Sequence, residues 1–167
     1  MLKHLLFAIL FSFTISSYAG IGGFNKGPVF PDYGENVRVE NGLEHPKLQH
    51  FKVVFDISAG ADEGEVNGQF NTVARFINMH VRAGVPLDNI DVAMVIHGKA
   101  GLDLLSKSNT ELVGLLLGEN VQIILCGQSA SYMGIEKSDL PDGVKISLSA
   151  MTANALLQQR GYTLNPF

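Results

Sequence analysis

The sequence has a single cysteine, Cys126, so no second thiol is available for an internal disulfide. The same count excludes a Cys-x-x-Cys motif, and no helical His-x-x-x-His pair occurs, so we expect no metal site. Three interpretations of Cys126 remain open. It is buried and inert, it pairs with another chain, or it performs chemistry.

Positive charge is also scarce. Lysine and arginine together number 12 against 16 acidic residues, which gives a net charge of −4. No long basic run of the kind that tracks a phosphate backbone occurs. We therefore expect no nucleic-acid partner.

Long apolar runs are absent after the N-terminus, where residues 5–13 are apolar except for Ser12 and follow Lys3 and His4. This run is well short of the roughly 20 residues that a membrane span needs. With small residues at Ser17 and Ala19, residues 1–19 are typical of a cleaved secretory signal. We expect a periplasmic or secreted protein with no membrane span in its mature form; the alternative is an uncleaved anchor.

The remaining chain suits one domain of ordinary size. Residues 20–50 mix glycine, proline and polar residues with no sustained period, which predicts an extended N-terminal arm or linker. Its apolar residues Val29, Phe30 and Tyr33 suggest that the arm lies against the body or against a neighbouring subunit. Residues 51–167 then form the predicted domain.

From residue 51 onward, short apolar runs alternate with segments of helical period. Strands are predicted at 51–57, 90–96, 121–125 and 144–148, with a short closing strand after Gly161. Helices are predicted at 67–83, from Ser108 to Gly118 with Ser108 and Glu111 as a capping box, and at 150–160 behind Ser149. This alternation predicts an α/β single-domain three-layer sandwich with a mostly parallel five-stranded sheet. We expect the flavodoxin-like strand order 2-1-3-4-5.

The sequence contains neither a phosphate-binding loop nor a serine-hydrolase elbow, although two segments resemble them. The loop after the first strand, residues 58–68, is rich in glycine, but it lacks the spacing of a phosphate loop and carries acidic residues. We therefore expect no nucleotide cofactor. The sequence "GQSAS" resembles a serine-hydrolase elbow, yet Ser131 replaces its second glycine, and no histidine follows Ser129 in the sequence.

Cys126 is the strongest candidate for chemistry, because it ends the third strand directly before a predicted helix. Backbone N–H groups at such a position stabilise a thiolate and lower its pKa. Gly127 would permit a tight turn and leave the sulfur uncovered. Gln128 and Ser129 would add hydrogen bonds to the sulfur. The alternative is a small buried hydrophobic residue that ends a core strand.

His97 ends the second strand at the same rim of the sheet. In the order 2-1-3, one strand separates it from Cys126, so the two backbones would lie on the order of 10 Å apart. A direct imidazole–thiolate pair is one interpretation. A histidine bonded locally beside Gly98 is the other.

The chain resembles the DsrE/DsrF-like family of small sulfur-handling proteins, especially its exported members. The resemblance runs from about Gly27 to the C-terminus. It is carried by "GPVFPDYG", "KVVFDIS", "VAMVIHGKAGLDLL", "VQIILCGQS" and "GVKISLSAMTANALLQQRGYTLNPF".

This resemblance implies an α/β sheet, assembly into homo-oligomers or with related DsrE-like subunits, and a persulfide-carrying cysteine at the position of Cys126. His97 matches a histidine-glycine pair found in related exported proteins. Two features depart from the pattern. Tyr132, Met133 and Gly134 stand where sulfur-relay members tend to place arginine, and relay members are usually cytoplasmic.

Two functional hypotheses follow. In the first, the protein is an exported sulfur carrier, similar to a sulfurtransferase, that holds sulfane sulfur on Cys126 and exchanges it with a donor or acceptor protein or a small sulfur compound. In the second, it is a non-catalytic oligomeric or small-ligand-binding module with a structural cysteine.

Overall fold

A computed structural model describes residues 23–165 as a parallel β-sheet with helices on both faces. The strands are β1 (Phe51–Ile57), β2 (Ile90–Ile96), β3 (Gln122–Cys126), β4 (Lys145–Ser147) and β5 (Thr163–Asn165). The helices are α1 (Gly68–Arg82), α2 (Ala100–Asp103), α3 (Lys107–Gly118), α4 (Gly127–Met133) and α5 (Ala150–Gln159). The predicted three-layer α/β class with five strands is confirmed, and all the strand pairs are parallel. The signal peptide predicted for residues 1–19 lies outside the described residues.

The strand order is 4-3-2-1-5, which differs from the expected 2-1-3-4-5. β5 occupies one edge of β1, so β2 pairs with the other edge and lies directly beside β3. Both orders obey the right-handed rule for parallel crossovers, and the sequence period does not distinguish them. The correction matters for the site, because no strand separates the ends of β2 and β3.

The strand order also fixes which helices cover each face. The chain moves across the sheet in one direction from β1 to β4, so right-handed crossovers place the connecting helices on one face. Buried residues of α1, α3 and α4 accordingly share a core cluster with Phe55, Met94 and Ile123. The single reversed crossover carries α5 under the opposite face. There, Ala150, Ala153 and Leu157 pack against residues that include Val54, Val95 and Cys126.

Helix α1 begins as its sequence predicts, since the side chain of Asn67 caps it by accepting from the N–H groups of Gln69 and Phe70. Helix α5 is similarly capped by Ser149. The capping box proposed for Ser108 and Glu111 is wrong. Helix α3 starts one residue earlier, at Lys107, and its N-cap Ser106 makes no side-chain capping bond.

Residues 27–36 of the N-terminal segment are fastened to α1. Asn78, fully buried in the middle of that helix, accepts from the N–H groups of Val29 and Phe30 at 2.9 Å each. Its Nδ2 donates to the carbonyl of Tyr33 at 2.9 Å, and Phe30 itself is buried. Asn71 and Arg82 of the same helix also bond this segment, at the N–H of Gly34 and the carbonyl of Gly27, so side chains of α1 satisfy backbone groups that no regular secondary structure pairs.

Within residues 23–165, no helix combines the length and the apolar character needed to cross a membrane.

Candidate functional site

Cys126 is the last residue of β3 and the N-cap of α4, at the carboxyl rim of the sheet. Its side chain belongs to the α5 face, in the apolar cluster that also contains Val95, Ala150 and Ala153. The residue is only 5% exposed. The predicted position at the strand end is therefore confirmed, and the sulfur lies under a thin layer of protein.

The surroundings of Cys126 lower the pKa of its thiol below the ordinary value of 9.0. Burial alone raises the pKa, but it is outweighed by the N–H and hydroxyl groups of Ser129 and by the N–H groups of Ala150 and Gln128. Cys126 makes no formed side-chain capping bond to α4. We therefore interpret these donors as N–H and O–H dipoles that converge on the sulfur and stabilise its anion.

Ser129 links the sulfur to the neighbouring strand end. Its Oγ accepts from the N–H of Gly98 at 3.0 Å. Because this lone pair is occupied, the hydroxyl proton is available to the Cys126 sulfur. Gly98 has φ of +54°, and an added Cβ would lie 3.1 Å from the carbonyl oxygen of Ser58, so a larger residue would be strained there.

Gly127 is needed for a different reason from the one expected. Its φ is not among the positive values, so no special turn conformation explains the glycine. An added Cβ would instead lie 2.6 Å from the backbone oxygen of Ser147. The glycine therefore allows α4 to start in close contact with β4.

Gln128 connects α4 to the segment that precedes α5. Its Nε2 donates to the carbonyl of Leu148 at 3.2 Å, while its backbone N–H faces the sulfur. Leu148 is followed by the Ser149 cap and by Ala150, whose N–H also faces Cys126. Two helix starts, those of α4 and α5, thus supply the donors around one sulfur.

His97 lies closer to Cys126 along the sheet than the sequence suggested. Ile96, the last residue of β2, pairs with Leu125, so His97 directly follows one member of this pair and Cys126 the other. The imidazole does not bond locally, since its Nε2 donates to Asp56 Oδ2 on β1 at 3.1 Å. Asp56 Oδ1 in turn accepts from Asn154 Nδ2 on α5 at 2.7 Å.

Asp56, Asn154 and Ala150 were missed from the sequence. Asp56 did carry a signal, because it is the one acidic residue in the apolar strand "FKVVFDI". Asn154 carried no such signal in the sequence, because its partner Asp56 is 98 residues away along the chain. The contribution of Ala150 comes from its backbone, which residue type does not reveal.

A cleft of about 320 Å³ opens beside the cysteine loop, between the turn after β2 and α4. Its lining residues are Gly98, Lys99, Gln128, Ser129, Tyr132 and Met133. Two of the residues that face the sulfur, Gln128 and Ser129, therefore also line open space. Residues 23–165 contain no cluster of three or more histidine, cysteine, aspartate or glutamate side chains that could hold a metal ion.

His80, at a polar position of the first helix in the sequence, is half-buried in the structure. It lies against the rings of Phe51 and Phe76, with centroid distances of 4.4 and 4.1 Å. Burial lowers its pKa, although a hydrogen bond to the carbonyl of Phe76 partly opposes this. It belongs to the packing around α1 and not to the rim that carries Cys126.

Comparison with known proteins agrees with this architecture. Residues 52–166 match the model of the DsrE/DsrF-like family. A solved structure of the protein of unknown function MTH1491 from Methanobacterium thermoautotrophicum is similar, with a TM-score of 0.57 and 19% identity over 70% of this chain and 99% of that one. The ychN protein from E. coli is similar with a TM-score of 0.53 and 20% identity, over 70% of this chain and 100% of its own. No curated protein sequence matches the chain.

Proposed function

Because the chain belongs to the DsrE/DsrF-like family, we propose that it is an exported sulfur carrier in which Cys126 holds sulfane sulfur as a persulfide. Family membership links the chain to sulfur metabolism. The residue-level role rests on the geometry around the sulfur. The exported location rests on the sequence of residues 1–19.

One arrangement carries the proposal: Cys126 is the N-cap of α4 and shares a cluster with Ala150 at the start of α5, and the N–H and O–H groups of these helix starts lower the pKa of its thiol. A thiolate is the form that attacks sulfur and that is released when sulfur is passed on. An inert core cysteine needs no such donors. Their convergence from two separate helix starts supports a chemical role.

The proposed chemistry is two thiol exchanges. The Cys126 thiolate attacks the outer sulfur of a donor R–S–SH, the new S–S bond forms as the old one breaks, and R–S⁻ leaves with the electron pair. An acceptor thiolate R′–S⁻ then attacks the outer sulfur of Cys126–S–SH. R′–S–SH departs, and Cys126 returns as a thiolate.

Intact-protein mass spectrometry of the native protein, with and without polysulfide or thiosulfate, tests the carrier. We expect a gain of one sulfur atom that is removed by cyanide, together with rapid alkylation of the native thiol at neutral pH. The Cys126→Ser variant is the matched control and should gain nothing. No gain in the native protein, with alkylation only after denaturation, would reject the carrier.

One observation favours a second function, a non-catalytic module in which Cys126 is structural. The residue is 5% exposed and packs within the small apolar cluster under α5. On this hypothesis, Cys126→Ser keeps assembly and biological effect intact. Loss of the effect in a variant with wild-type assembly and thermal stability would exclude it.

The exported location has its own test, because its signal is independent of Cys126. N-terminal sequencing of the protein recovered from outside the cytoplasm should begin at Gly20. Recovery of the full chain with Met1 in the membrane fraction would support an uncleaved anchor.

We also propose that a second copy of the chain covers the α5 face. One ten-residue helix covers that side of a five-stranded sheet, whereas α1, α3 and α4 cover the other. Apolar side chains remain exposed along the α5 side: Leu148, Met151, Leu156 and Leu164. Several exposed apolar side chains on one side of a molecule are typical of a protein interface.

A further inference from the structure

Cys126 and His97 lie next to each other on the α5 face of the sheet. Val95 belongs to the same cluster as Cys126, and side chains two residues apart on a strand point to the same side. His97 therefore points to the face that carries the sulfur. β2 and β3 are adjacent, so their backbones are about 4.8 Å apart at the last pair, Ile96 and Leu125, and His97 and Cys126 are the next residues along each chain segment.

Three hydrogen bonds, which involve β1 and α5, hold the imidazole in place. The backbone N–H of His97 continues the strand ladder by donating to the carbonyl of Ile57 at 2.9 Å. Its ring bonds Asp56 of β1, and Asp56 is bonded by Asn154 of α5. The side chains of His97 and Asp56 are 32% and 38% exposed, so the pair is in contact with water yet fixed. A hydrogen-bonded pair that is this exposed stabilises a fold very little, which leaves the orientation of the ring as its main effect.

This orientation determines which ring nitrogen can exchange a proton. Because a carboxylate oxygen only accepts, Nε2 carries the hydrogen that bonds Asp56. Nδ1 is then the nitrogen that can take or give a proton. The neighbouring elements contribute three polar groups to this region: Asp56 of β1, which bonds the ring, Asn154 of α5, which bonds Asp56, and Cys126 at the end of the adjacent strand β3.

We propose that His97 is the proton-transfer residue of the Cys126 site and that Asp56 is its positioning residue. This role rests on the proposed carrier function. In that function, a thiolate leaves the donor and a thiol arrives as acceptor, and each needs one proton moved. Imidazole is the side chain suited to both directions near neutral pH.

The protons balance over one cycle. When the donor R–S⁻ leaves, protonated His97 gives it a proton, so R–SH departs and the ring becomes neutral. When the acceptor R′–SH arrives, neutral His97 takes its proton, and R′–S⁻ attacks the outer sulfur of Cys126–S–SH. R′–S–SH then leaves, Cys126 is again a thiolate, and His97 is again protonated.

The test compares two sulfur acceptors on protein already loaded at Cys126. The first, 2-mercaptoethanol, is a thiol that must lose a proton before it attacks. The second, sulfite, attacks through a free electron pair. At neutral pH we expect His97→Gln to slow transfer to the thiol by about 100-fold and to leave transfer to sulfite unchanged. The loss should shrink as the pH rises and the free thiol ionises, and added imidazole should restore part of the rate.

Asp56→Asn should slow transfer to the thiol in the same direction, because an amide can hold the ring in the wrong tautomer. His50→Gln, in an exposed residue of the N-terminal segment, is the matched control and should match the wild type. Equal thiol rates for wild type and His97→Gln across the pH range would overturn the proposal. A proportional loss with both acceptors would also overturn it, because that pattern indicates a structural role.

The two proposals fail differently. If the wild-type protein does not load sulfur at all, the carrier function fails. If it loads and passes sulfur at rates that do not depend on His97 or Asp56, the carrier stands and only the proton-transfer role is lost.

Discussion

At the scale of single residues, Ser129 connects the thiol to the strand beside it. It accepts from Gly98 and presents its proton to Cys126. Of the side-chain groups around the sulfur, it is the one that acts directly on its ionisation. Its removal therefore tests the electrostatics without removing the nucleophile.

We expect Ser129→Ala to raise the pKa of Cys126. The folded protein favours the ionised sulfur, so loss of a donor to that ion shifts ionisation to higher pH and lowers the thiolate fraction at neutral pH. The pH dependence of iodoacetamide alkylation measures this shift. Ser131→Ala, in an exposed residue of the same helix, is the control. An unchanged profile for Ser129→Ala would show that the hydroxyl does not act on the sulfur.

Gly127 gives a second prediction at this scale. Gly127→Ala should destabilise the protein by about 1–3 kcal/mol, because the new methyl group would overlap the Ser147 carbonyl oxygen. Gly114→Ala is the opposite control. It lies within α3 with no atom near its added Cβ, so we expect a gain of up to about 1 kcal/mol. Chemical denaturation measures the change in the free energy of unfolding of each variant relative to the wild type. Equal stabilities of the two variants would contradict the packing argument.

The sequence predicted Cys126, Gly127, Gln128 and Ser129 together, because their arrangement depends on a local event, the end of a strand before a helix. It did not predict the partner of His97. Asp56 is 41 residues away, and its position beside the ring depends on the pairing of β1 with β2. Site residues that are neighbours in the sequence can be predicted from it. Contacts between residues on different strands can be predicted only when the strand order is known.

At the scale of elements, helix α1 has two roles, since it covers the sheet and fastens the N-terminal segment through Asn78. We expect Asn78→Ala to cost about 3 kcal/mol, because the N–H groups of Val29 and Phe30 would lose their acceptor while buried or partly buried. The arm should also become sensitive to limited proteolysis.

Thr72→Ala on the same helix is the control for Asn78→Ala. Its hydroxyl bonds only the carbonyl of Gly68 within α1, so we expect a change within about 0.5 kcal/mol. Proteolysis at wild-type rates in Asn78→Ala would show that apolar contacts of Phe30 are sufficient to hold the arm.

Element types were predictable because short apolar runs, typical of buried strands, alternate with segments of helical period. The strand order was not, because handedness permits both arrangements and the short β5 carries little signal. Its three residues settle the topology by taking the free edge of β1. The start of α3 was misplaced for a similar reason, since Ser106 and Ser108 both suit a helix start.

At the scale of the whole molecule, helices α1, α3 and α4 cover one face of the sheet, and α5 covers the other. Leu156→Lys should dissociate the proposed oligomer, because it places a charge in the exposed apolar surface of α5. Light scattering coupled to size-exclusion chromatography measures the mass. Gln158→Lys on the same helix, already exposed and polar, should leave the assembly unchanged. A wild-type protein that remains monomeric at high concentration would contradict the interface.

The small contact area between α5 and the sheet affects the rate of any reaction at the sulfur. Two of the three residues by which it contacts the sheet core are alanines, Ala150 and Ala153, so little apolar area holds its first turns in place. Brief detachment of those turns would bare the thiol without disturbing the opposite layer. The rate at which α5 opens would then limit the rate at which sulfur is loaded on Cys126. Amide hydrogen exchange in α5 measures that opening.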